Sequence, residues 1–415
     1  MPILEPVTPQ PHLRAFDGYG IELEYMIVDR QSLAVRPLAD RLLLDAAGAV
    51  VNEIAHGATA WSNELVAHVI ELKTNGPATS LDGLDGIFAE SVSAINHRLA
   101  VHDAMLLPTA MHPFFDPGAE TVLWPHGQNE IYAAYDRIFG CRGHGWSNLQ
   151  SVHINLPFAT GEEFRRLHAA IRVVLPLIPA LAASSPLEQG RLTGWCDRRL
   201  YHYRNNQALI PEIAGLVIPE PVAGIDDYHA RILAPMYRAI TQHDPGGILA
   251  DDWLNSRGAI ARFDRQTIEI RLVDLQECPA ADLAVAAALV RLVQRLYEAD
   301  EQGFQRQQAL DEKALSGILL ELAERGGAGI IEDSGFLALL GLAAPASGQA
   351  AWRHLLADGL MSGSPQAEVL GCMVERGTLA ECIIDRVGPA SERAATIEVY
   401  RELARCLSDN RLYLP

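Results

Sequence analysis

Apolar and polar side chains alternate in the first half of residues 20–29, which have the sequence GIELEYMIVD. In an extended chain, successive side chains point to opposite faces, so this alternation predicts a strand with one apolar and one polar face. The apolar positions are Ile21, Leu23, Tyr25 and Ile27. The polar face carries Glu22 and Glu24 side by side. A solvated surface strand would also show this pattern, so the pair alone does not define a site.

The same alternation returns in two later segments that are far away in the chain. In residues 151–157, SVHINLP, the polar face carries Ser151, His153 and Asn155. In residues 267–274, TIEIRLVD, Glu269 and Arg271 share the face opposite three apolar side chains. A lone histidine in such a strand is more often a hydrogen-bonded structural residue, and an isolated Glu-Arg pair often only neutralises a surface. Independent surface strands, however, have no reason to repeat this design.

A fourth segment carries two more carboxylates, and its secondary structure has two interpretations. Residues 66–74 are rich in β-branched and apolar residues and are followed by Gly-Pro, which predicts a strand with Glu71 and Lys73 on one face. Glu64 has the opposite parity, so it joins Glu71 only across a turn or a bulge. A helix would instead place Glu64, His68 and Glu71 on one face.

Helical periodicity occupies most of the remaining chain. Helices are predicted at residues 80–105, 129–139, 160–183, 225–242 with a kink at Pro235, and 280–298, and a short strand and helix at 34–44. Residues 310–412 alternate helical segments with Gly- and Pro-containing breaks. We therefore expect an α+β fold in which an antiparallel sheet with a concave, acid-lined front is backed by helices. Residues 1–300 form the expected core, and residues 301–415 a mainly helical region packed on it.

Composition excludes several classes of function. The 415 residues are 49% hydrophobic and 20% charged, which is typical of a globular protein. The formal net charge of −19 disfavours binding to nucleic acids or anionic membranes. Six cysteines without a C-x-x-C pair indicate reduced thiols. Residues 1–14 lack an apolar signal-peptide core, and the apolar run at 173–183 is too short to span a membrane, so we expect a soluble, cytoplasmic protein.

Residues 184–204 concentrate positive charge in this acidic chain. After Ser184-Ser185-Pro186, the segment carries four arginines among aromatic residues. The arginines are Arg191, Arg198, Arg199 and Arg204, and the aromatic neighbours include Tyr201. A basic solvated loop or an aromatic cluster packed on the core has the same composition. The alternative is an anion clamp, since guanidinium binds carboxylate or phosphate in a bidentate manner.

Five carboxylates and one imidazole, without a thiolate, suit Mg²⁺ or Mn²⁺ better than Zn²⁺ or copper. So many carboxylates in one site raise one another's pKa, and they are compatible only if cations, two or three in number, lie between them. Metal ions together with arginines are the groups that stabilise phosphoryl transfer from ATP. The sequence contains no G-x-x-x-x-G-K-[ST] loop, so metals and arginines would have to hold the nucleotide.

The ordered set of these motifs resembles the glutamate-cysteine ligases and related carboxylate-amine ligases. Residues 20–24 are similar to the G-x-E-x-E opening of that family, and residues 64–77 to its E/D-x6-E-x-x-T-x-x-P segment. Residues 151–155 resemble its G-V/L-H-x-N/H strand, residues 184–186 its S-S/N-P loop, and residues 267–271 its T-x-E-x-R strand. The matches follow the family order over residues 20–275.

The resemblance implies a glutamine-synthetase-like catalytic fold and ATP-dependent amide formation through an acyl phosphate. It implies metal ligation by Glu22, Glu24, Glu64, Glu71, His153 and Glu269. It makes Glu269 and Arg271 catalytic and assigns ATP phosphate contacts to Arg271, Arg191 and Arg199. Substrate contacts would come from Asn155, Ser184, Ser185, Arg198, Arg204 and Tyr201. The expected partners are ATP and small amino-acid substrates, with glutamate as the acid and cysteine as the amine.

Two departures from the family pattern concern the substrates. Ser151 stands where many relatives have glycine, and residues 140–146, GCRGHGW, match no family pattern. Other functions on the same fold stay open, namely a guanidino-kinase-like or ammonia-using phosphotransferase and a metabolite-binding protein without catalysis. The six proposed metal ligands favour an enzyme, because a binding module gains nothing from mutually repelling carboxylates.

Overall fold

The computed structural model describes residues 12–414. Most of the N-terminal segment that was considered for a secretory signal, residues 1–11, lies outside this range. Twelve strands are found in the described part of the chain. They are β1 (Gly20–Asp29), β2 (Glu53–His56), β3 (Thr59–Asn63), β4 (Val69–Thr74), β5 (Ala104–Leu107), β6 (Ser151–Pro157), β7 (Leu187–Glu188), β8 (Arg191–Leu192), β9 (Ala259–Arg262), β10 (Thr267–Asp274), β11 (Ile330–Ile331) and β12 (Ala346–Ser347).

Eight of these strands form one antiparallel sheet. Its order is β2-β3-β4-β1-β6-β10-β9, and β5 pairs with the far end of β1. The two remaining pairs, β7-β8 and β11-β12, are short separate ribbons. The three segments with matching alternation therefore become the neighbouring strands β1, β6 and β10, which places their polar faces side by side.

The same described residues contain eighteen α-helices. They are α1 (Ala39–Ala47), α2 (Leu84–Leu99), α3 (Pro117–Glu120), α4 (Asn129–Phe139), α5 (His144–Ser147), α6 (Gly161–Val174), α7 (Pro179–Ala182), α8 (Arg198–Tyr203), α9 (Ile225–Tyr228), α10 (Ala234–Ile240), α11 (Pro279–Tyr297), α12 (Glu301–Ala309), α13 (Glu312–Arg325), α14 (Ser334–Leu339), α15 (Gly348–Ala357), α16 (Ala367–Arg376), α17 (Leu379–Val387) and α18 (Arg393–Asp409).

Helices cover the apolar face of the central strands of the sheet. Ile21, Leu23 and Tyr25 of β1 have no solvent exposure and belong to one hydrophobic core. The helix α11 packs between α2 and α6 behind the sheet, and α16 packs on α11. Nearly the whole of α11 is buried, which explains its alanine-rich sequence, because small side chains permit close helix packing. The predicted α+β class with an antiparallel sheet is confirmed.

A second core closes one end of the opposite face. Beyond Glu24, the polar face of β1 continues with Met26 and Val28, which are buried. They share an apolar cluster with Leu379 and Ile383 of α17 and with Leu403 of α18. The open, polar part of the sheet is therefore limited to the end that carries Glu22 and Glu24. The residues after 300 pack on the sheet and its helices, while a domain boundary at residue 300 stays a prediction.

Several local predictions need correction. The strand predicted at residues 66–74 begins only at Val69, and the preceding hairpin of β2 and β3 was not predicted. The helix predicted at 80–105 ends at Leu99, with a further turn of 3₁₀-helix, and the chain then forms β5. The arginine-rich loop contains the short helix α8.

Proline positions divide two of the predicted helices. Between α6 and α7, residues 175–177 form a 3₁₀-turn that contains Pro176. Between α9 and α10, residues 229–233 form a π-helical turn that is followed by Pro235 in the first turn of α10. A proline lacks the N–H that an uninterrupted helix needs, so the expected kink at Pro235 appears as a change of helix type.

Candidate active site

A cavity of about 470 Å³ lies over the polar face of β1, β4, β6 and β10. All six predicted metal ligands line it, and so does Arg271. The ligands are Glu22, Glu24, Glu64, Glu71, His153 and Glu269. We call this space the acidic cavity. These residues are distributed over about 250 positions of sequence, and the pairing of the strands, with the turn between β3 and β4, brings them together.

One group in the acidic cavity has the spacing of a metal site. Glu22 of β1 stands opposite His153 of β6, and Glu269 of β10 stands opposite the neighbouring Asn155. One ligand atom from each of Glu22, His153 and Glu269 lies within 4.8 Å of the others. Two carboxylate oxygens and one imidazole nitrogen are donors that Mg²⁺ or Mn²⁺ accepts, so these residues fit a divalent cation.

Glu24, Glu71 and Glu64 form a second acidic group beside the first. Glu24 and Glu71 face each other across β1 and β4. Glu64 follows β3 on the turn before β4, which brings it to the cavity in spite of its opposite parity. The turn interpretation is thus correct and the helical alternative is wrong. Burial and the charges of Glu24 and Glu71 hold the pKa of Glu64 well above its usual range. A cation would relieve this repulsion.

The existing positive charges only partly balance this acidity. Burial raises the pKa of Glu71 to about 7, with a further contribution from Glu22 and against the influence of Lys73. The Lys73 ammonium lies 3.1 Å from Glu71 and 2.7 Å from Glu53. Burial alone would lower the pKa of His153, but its hydrogen bond to Glu22 and the charges around it raise that pKa to about 9. The imidazolium therefore acts as the local counter-ion.

Two polar side chains of β6 hold the carboxylates of β1 in place. Ser151 donates to Glu24 Oε2 twice, from its backbone N at 2.7 Å and from its Oγ at 2.9 Å. Asn155 donates from Nδ2 to Glu22 Oε1 at 3.1 Å. Ser151, which departs from the glycine of many relatives, therefore supplies an additional hydrogen bond to a candidate metal ligand. Asn155 lines a neighbouring cavity and orients Glu22, and its predicted substrate contact stays a prediction.

Positive charge also lines the acidic cavity, beside Glu269. Arg271 Nε lies 3.1 Å from Glu269 Oε1, and Arg262 lies 3.5 Å from the other oxygen of the same carboxylate. Arg265 also lines the cavity. Sequence reasoning missed Arg262 and Arg265, although both belong to the hairpin that leads directly into β10. An anionic substrate in the cavity would therefore meet guanidinium groups as well as the carboxylates.

The serine pair and Arg199 form a buried support behind this site. Arg199 Nε lies 2.6 Å from Asp274 Oδ1, and neither side chain is appreciably exposed. Ser184 donates its backbone N and Ser185 its Oγ to Asp274 Oδ2, at 2.9 and 2.8 Å. Both serines are fully buried and line neither the acidic cavity nor the cavity beside it, so this structure gives them a supporting position, and their predicted substrate contacts stay a prediction. Arg199 reaches the acidic cavity, but its guanidinium is already paired.

The remaining residues of the predicted anion clamp lie elsewhere. Arg191 and Arg198 line a separate surface depression, where Arg198 pairs with Glu188 at 3.0 Å. Arg198 also stacks over the Tyr201 ring at 3.9 Å. Arg204 is exposed and lines neither cavity. The structure thus does not bring the four arginines together: Arg198 and Arg199 of α8 turn to different partners, while Arg191 lies on β8 and Arg204 follows α8. The phosphate and substrate contacts predicted for these arginines stay predictions.

A second cavity of about 490 Å³ adjoins the acidic cavity and shares Glu22, Lys73 and Arg265 with it. Much of its lining consists of glycines and of apolar or aromatic side chains. These residues include Leu13, Gly18, Tyr19, Gly20, Ala60, Gly76, Pro77 and Pro157. We call this space the flanking cavity. An elongated ligand with a flat apolar end and an anionic end would fit across both spaces.

Comparison with known proteins identifies the family. The model of glutamate-cysteine ligase family 2 matches residues 19–317. The chain belongs to this family. An uncharacterised protein of Archaeoglobus fulgidus is 34% identical over 398 residues, covering 95% of this chain and all of the relative. A protein of a Bradyrhizobium strain, provisionally named glutamate-cysteine ligase 2, is 28% identical over 86% of this chain and 78% of its own. The family and the Bradyrhizobium relative support a carboxylate-amine ligase.

Solved structures agree on the fold. The glutamate-cysteine ligase of Francisella tularensis in complex with AMP superposes with a TM-score of 0.57 at 13% identity, over 97% of this chain and 90% of that one. A bifunctional glutathione synthetase of Pasteurella multocida gives 0.54 at 15% identity, over 95% of this chain and 53% of its own. At these identities the similarity concerns the fold. Among residues 12–414, no helix has the length and hydropathy needed to cross a membrane.

Proposed function

We propose that this protein is an ATP- and Mg²⁺-dependent ligase that joins a carboxylate to an amine through an acyl phosphate. One observation carries the proposal: six potential metal ligands and Arg271 surround a single cavity that continues into the flanking cavity. The nucleotide base would occupy the flanking cavity, and the phosphates would extend past Glu22 into the acidic cavity. The family supports this reaction class.

The groups of the site have separate roles in this reaction. Glu22, His153 and Glu269 would hold one cation, and Glu24, Glu64 and Glu71 would hold a second. Bound Mg²⁺ would neutralise and orient the phosphate oxygens. Arg271, beside Glu269, would contact the phosphates, where its guanidinium would stabilise the charge that develops during transfer. Ser151 and Asn155 would keep two of the carboxylates in position, so little rearrangement is needed when the cations bind.

The reaction proceeds in two transfers. An oxygen of the substrate carboxylate attacks the γ-phosphorus of ATP, the bond to the β-phosphate oxygen breaks, and ADP leaves. The amine nitrogen then attacks the acyl carbon, the bond from that carbon to the phosphate oxygen breaks, and inorganic phosphate leaves. An ammonium substrate loses one proton before its attack and a second one as the amide forms. The names of the relatives supply L-glutamate as the first acid and cysteine as the first amine to test.

Hydroxylamine allows the acid substrate to be identified before the natural amine is known, because it reacts with an activated acyl group in place of the amine and gives a hydroxamate. Purified protein with ATP, Mg²⁺ and hydroxylamine is incubated with a panel of carboxylic acids, and ADP and hydroxamate are measured. We expect equal amounts of both products for at least one acid. ADP and hydroxamate missing for every acid would refute the proposal, and a stable phosphorylated product would instead indicate a kinase.

Variants of the acidic cavity connect this activity to the site. Replacement of one proposed metal ligand by its amide isostere, in Glu24→Gln or Glu269→Gln, should lower turnover by about 100-fold or more, since loss of an electrostatic contact in the active site commonly costs several kcal/mol. Glu90→Gln is the matched control, because Glu90 is exposed on α2. Normal turnover in both site variants would remove these residues from the mechanism.

A further inference from the structure

One side of the acidic cavity consists of aromatic rings, which the reaction proposed above does not use. The rings belong to Tyr132, Tyr135, Trp146, Tyr203 and Trp253. We call this set the aromatic wall. All five side chains are partly exposed, and all five line the cavity. Large rings that remain partly exposed along a cavity are typical of a surface that binds an apolar ligand group.

The aromatic wall is built from separate elements that support one another. Tyr135 comes from α4, Trp146 from α5 and Trp253 from the 3₁₀-turn at residues 252–254. The Tyr135 ring centroid lies 5.3 Å from that of Trp146 and 5.8 Å from that of Trp253. These are the distances of favourable ring pairs, so the rings hold one another in place. A binding surface that is already ordered loses little entropy when a ligand binds.

The aromatic wall also lies next to both kinds of charge in the cavity. Asn63, which directly precedes Glu64, donates from Nδ2 to the Tyr132 hydroxyl at 3.1 Å. On the other side, the charge of Arg271 acts on the hydroxyls of Tyr135 and Tyr203, opposing the rise in pKa that burial causes. A substrate bound against the aromatic wall would therefore lie close to the carboxylates at the Tyr132 end of the wall. At the other end it would lie close to Arg271 and hence to the reacting phosphate.

We propose that the amine substrate carries a large apolar group, best an aromatic ring, which binds against the aromatic wall. This inference rests on the function proposed above. With the nucleotide base in the flanking cavity, the wall is left to the organic substrates. The acid directs its carboxylate to Arg271 and the metals, whereas an amine arrives as a cation that both aromatic faces and carboxylates attract. A small amine such as cysteine would leave most of the wall without contact.

Two amines that differ only in the ring test the inference. With the acid that gives the most hydroxamate, steady-state kinetics are measured for 2-phenylethylamine and for ethylamine. We expect KM for 2-phenylethylamine to be at least about tenfold lower, equal to about 1.4 kcal/mol of binding, with kcat values of the same order. In Trp253→Ala this ratio of KM values should fall towards one, and Trp253→Phe should retain most of it.

The matched control is Trp195→Ala. Trp195 is partly buried, packs against Tyr201 with a centroid distance of 5.2 Å, and lies outside the acidic cavity. The same ratio of KM values as in the unmodified protein is expected for this variant. Trp146→Ala repeats the measurement from a different element, in case Trp253→Ala does not fold. An unchanged ratio in a folded variant of either wall tryptophan would overturn the inference.

Failure of the inference is distinguishable from failure of the proposed function. Hydroxamate formation with equal KM for the two amines leaves the ligase in place and overturns the inference. A ring preference that appears only when the acid carries the ring overturns the assignment to the amine. If no acid gives hydroxamate, calorimetry of the two amines with protein, Mg²⁺ and a non-hydrolysable ATP analogue decides. At least tenfold tighter binding of 2-phenylethylamine supports the inference, and equal affinity overturns it.

Discussion

His153 stands directly opposite Glu22 on the neighbouring strand, and its Nδ1 lies 2.9 Å from Glu22 Oε2. Burial acts to raise the pKa of Glu22, but the hydrogen bond and charge of His153 outweigh it and lower that pKa to about 2. Glu22 is therefore an ionised carboxylate, and the imidazole of His153 that holds it has nitrogens that can ligate a metal ion. A divalent cation can replace the proton on His153 and use both residues as ligands.

Metal binding can be measured apart from activity. Glu22→Gln removes one negative charge from the group formed with His153 and Glu269, so affinity for Mn²⁺ should fall at least about tenfold, about 1.4 kcal/mol. Paramagnetic resonance of free Mn²⁺ or calorimetry measures this. The control Glu90→Gln, on the exposed side of α2, should bind Mn²⁺ as the unmodified protein does. Equal affinity in all three proteins would exclude Glu22 as a ligand.

Gly20 of the opening motif has a steric reason to be glycine. A Cβ at this position would lie 2.9 Å from Cβ of Asn155, the residue whose amide binds Glu22. We expect Gly20→Ala to displace Asn155, weaken Mn²⁺ binding severalfold, and cost about 1–3 kcal/mol of unfolding free energy through overpacking. Gly86→Ala on α2 is the control, since nothing lies within 4 Å of its added Cβ. The prediction fails if the two variants behave alike in calorimetry and denaturant unfolding.

The buried pair of Arg199 and Asp274 stabilises the floor of the site. Asp274→Ala leaves the Arg199 guanidinium buried without its partner and removes an acceptor from Ser184 and Ser185. Loss of one member of a buried pair commonly costs about 3–5 kcal/mol, so urea denaturation should show a loss of this size.

The exposed pair of Arg295 and Asp358, 2.9 Å apart, provides the comparison. Asp358→Ala should change the free energy of unfolding by less than about 1 kcal/mol, because water screens surface pairs. Similar losses in Asp274→Ala and Asp358→Ala would show that the buried network is not a main support of the fold.

A buried histidine behind the sheet gives a prediction for pH. Within residues 12–414, His168 of α6 has no hydrogen-bond partner at either ring nitrogen, and burial, with the charges of Arg172 and Arg257, lowers its pKa to about 3. Between the ordinary value of 6.5 and this value, the unfolded chain binds more protons, so stability decreases as pH falls. His168→Phe removes this proton uptake and keeps a ring between Phe164 and Tyr228.

The expected difference is about 2 kcal/mol between about pH 7.5 and about pH 5, from 1.36 kcal/mol for each pKa unit. The measurement is the free energy of unfolding in urea at both pH values. His168→Phe should lose about this much less stability than the unmodified protein, whereas His97→Phe, at an exposed position of α2, should lose as much as the unmodified protein. Equal losses in all three proteins would contradict a neutral, buried His168.

The sequence predicts the main elements of the site because they lie on strands. The period of two fixes which face each side chain of β1, β6 and β10 occupies, so Glu22, His153 and Glu269 could be assigned to one surface. Glu64 could not be placed with certainty, because a turn residue follows no period. The short strands β2, β3, β5 and β9 were missed, since four or five residues give too few repeats to identify.

The arginine-rich segment at residues 184–204 shows where prediction from sequence fails. Charge density alone suggested one anion site, but the direction of a side chain in a short helix depends on packing that composition does not contain. Arg199 points inwards because Asp274 is available as a partner, while Arg198 turns to Glu188. The aromatic wall was not predicted for the same reason, since Tyr135, Trp146 and Trp253 meet only in the folded chain.

Transfer of ¹⁸O tests the central claim most directly. The acid that supports hydroxamate formation is labelled with ¹⁸O in its reacting carboxylate and incubated with the protein, ATP, Mg²⁺ and an amine, and the inorganic phosphate is analysed by mass spectrometry. Formation of an acyl phosphate requires that the oxygen that attacked phosphorus leaves with the phosphate. We predict one ¹⁸O atom in each phosphate and one amide for each ADP. Unlabelled phosphate, or release of AMP and pyrophosphate, would contradict the account.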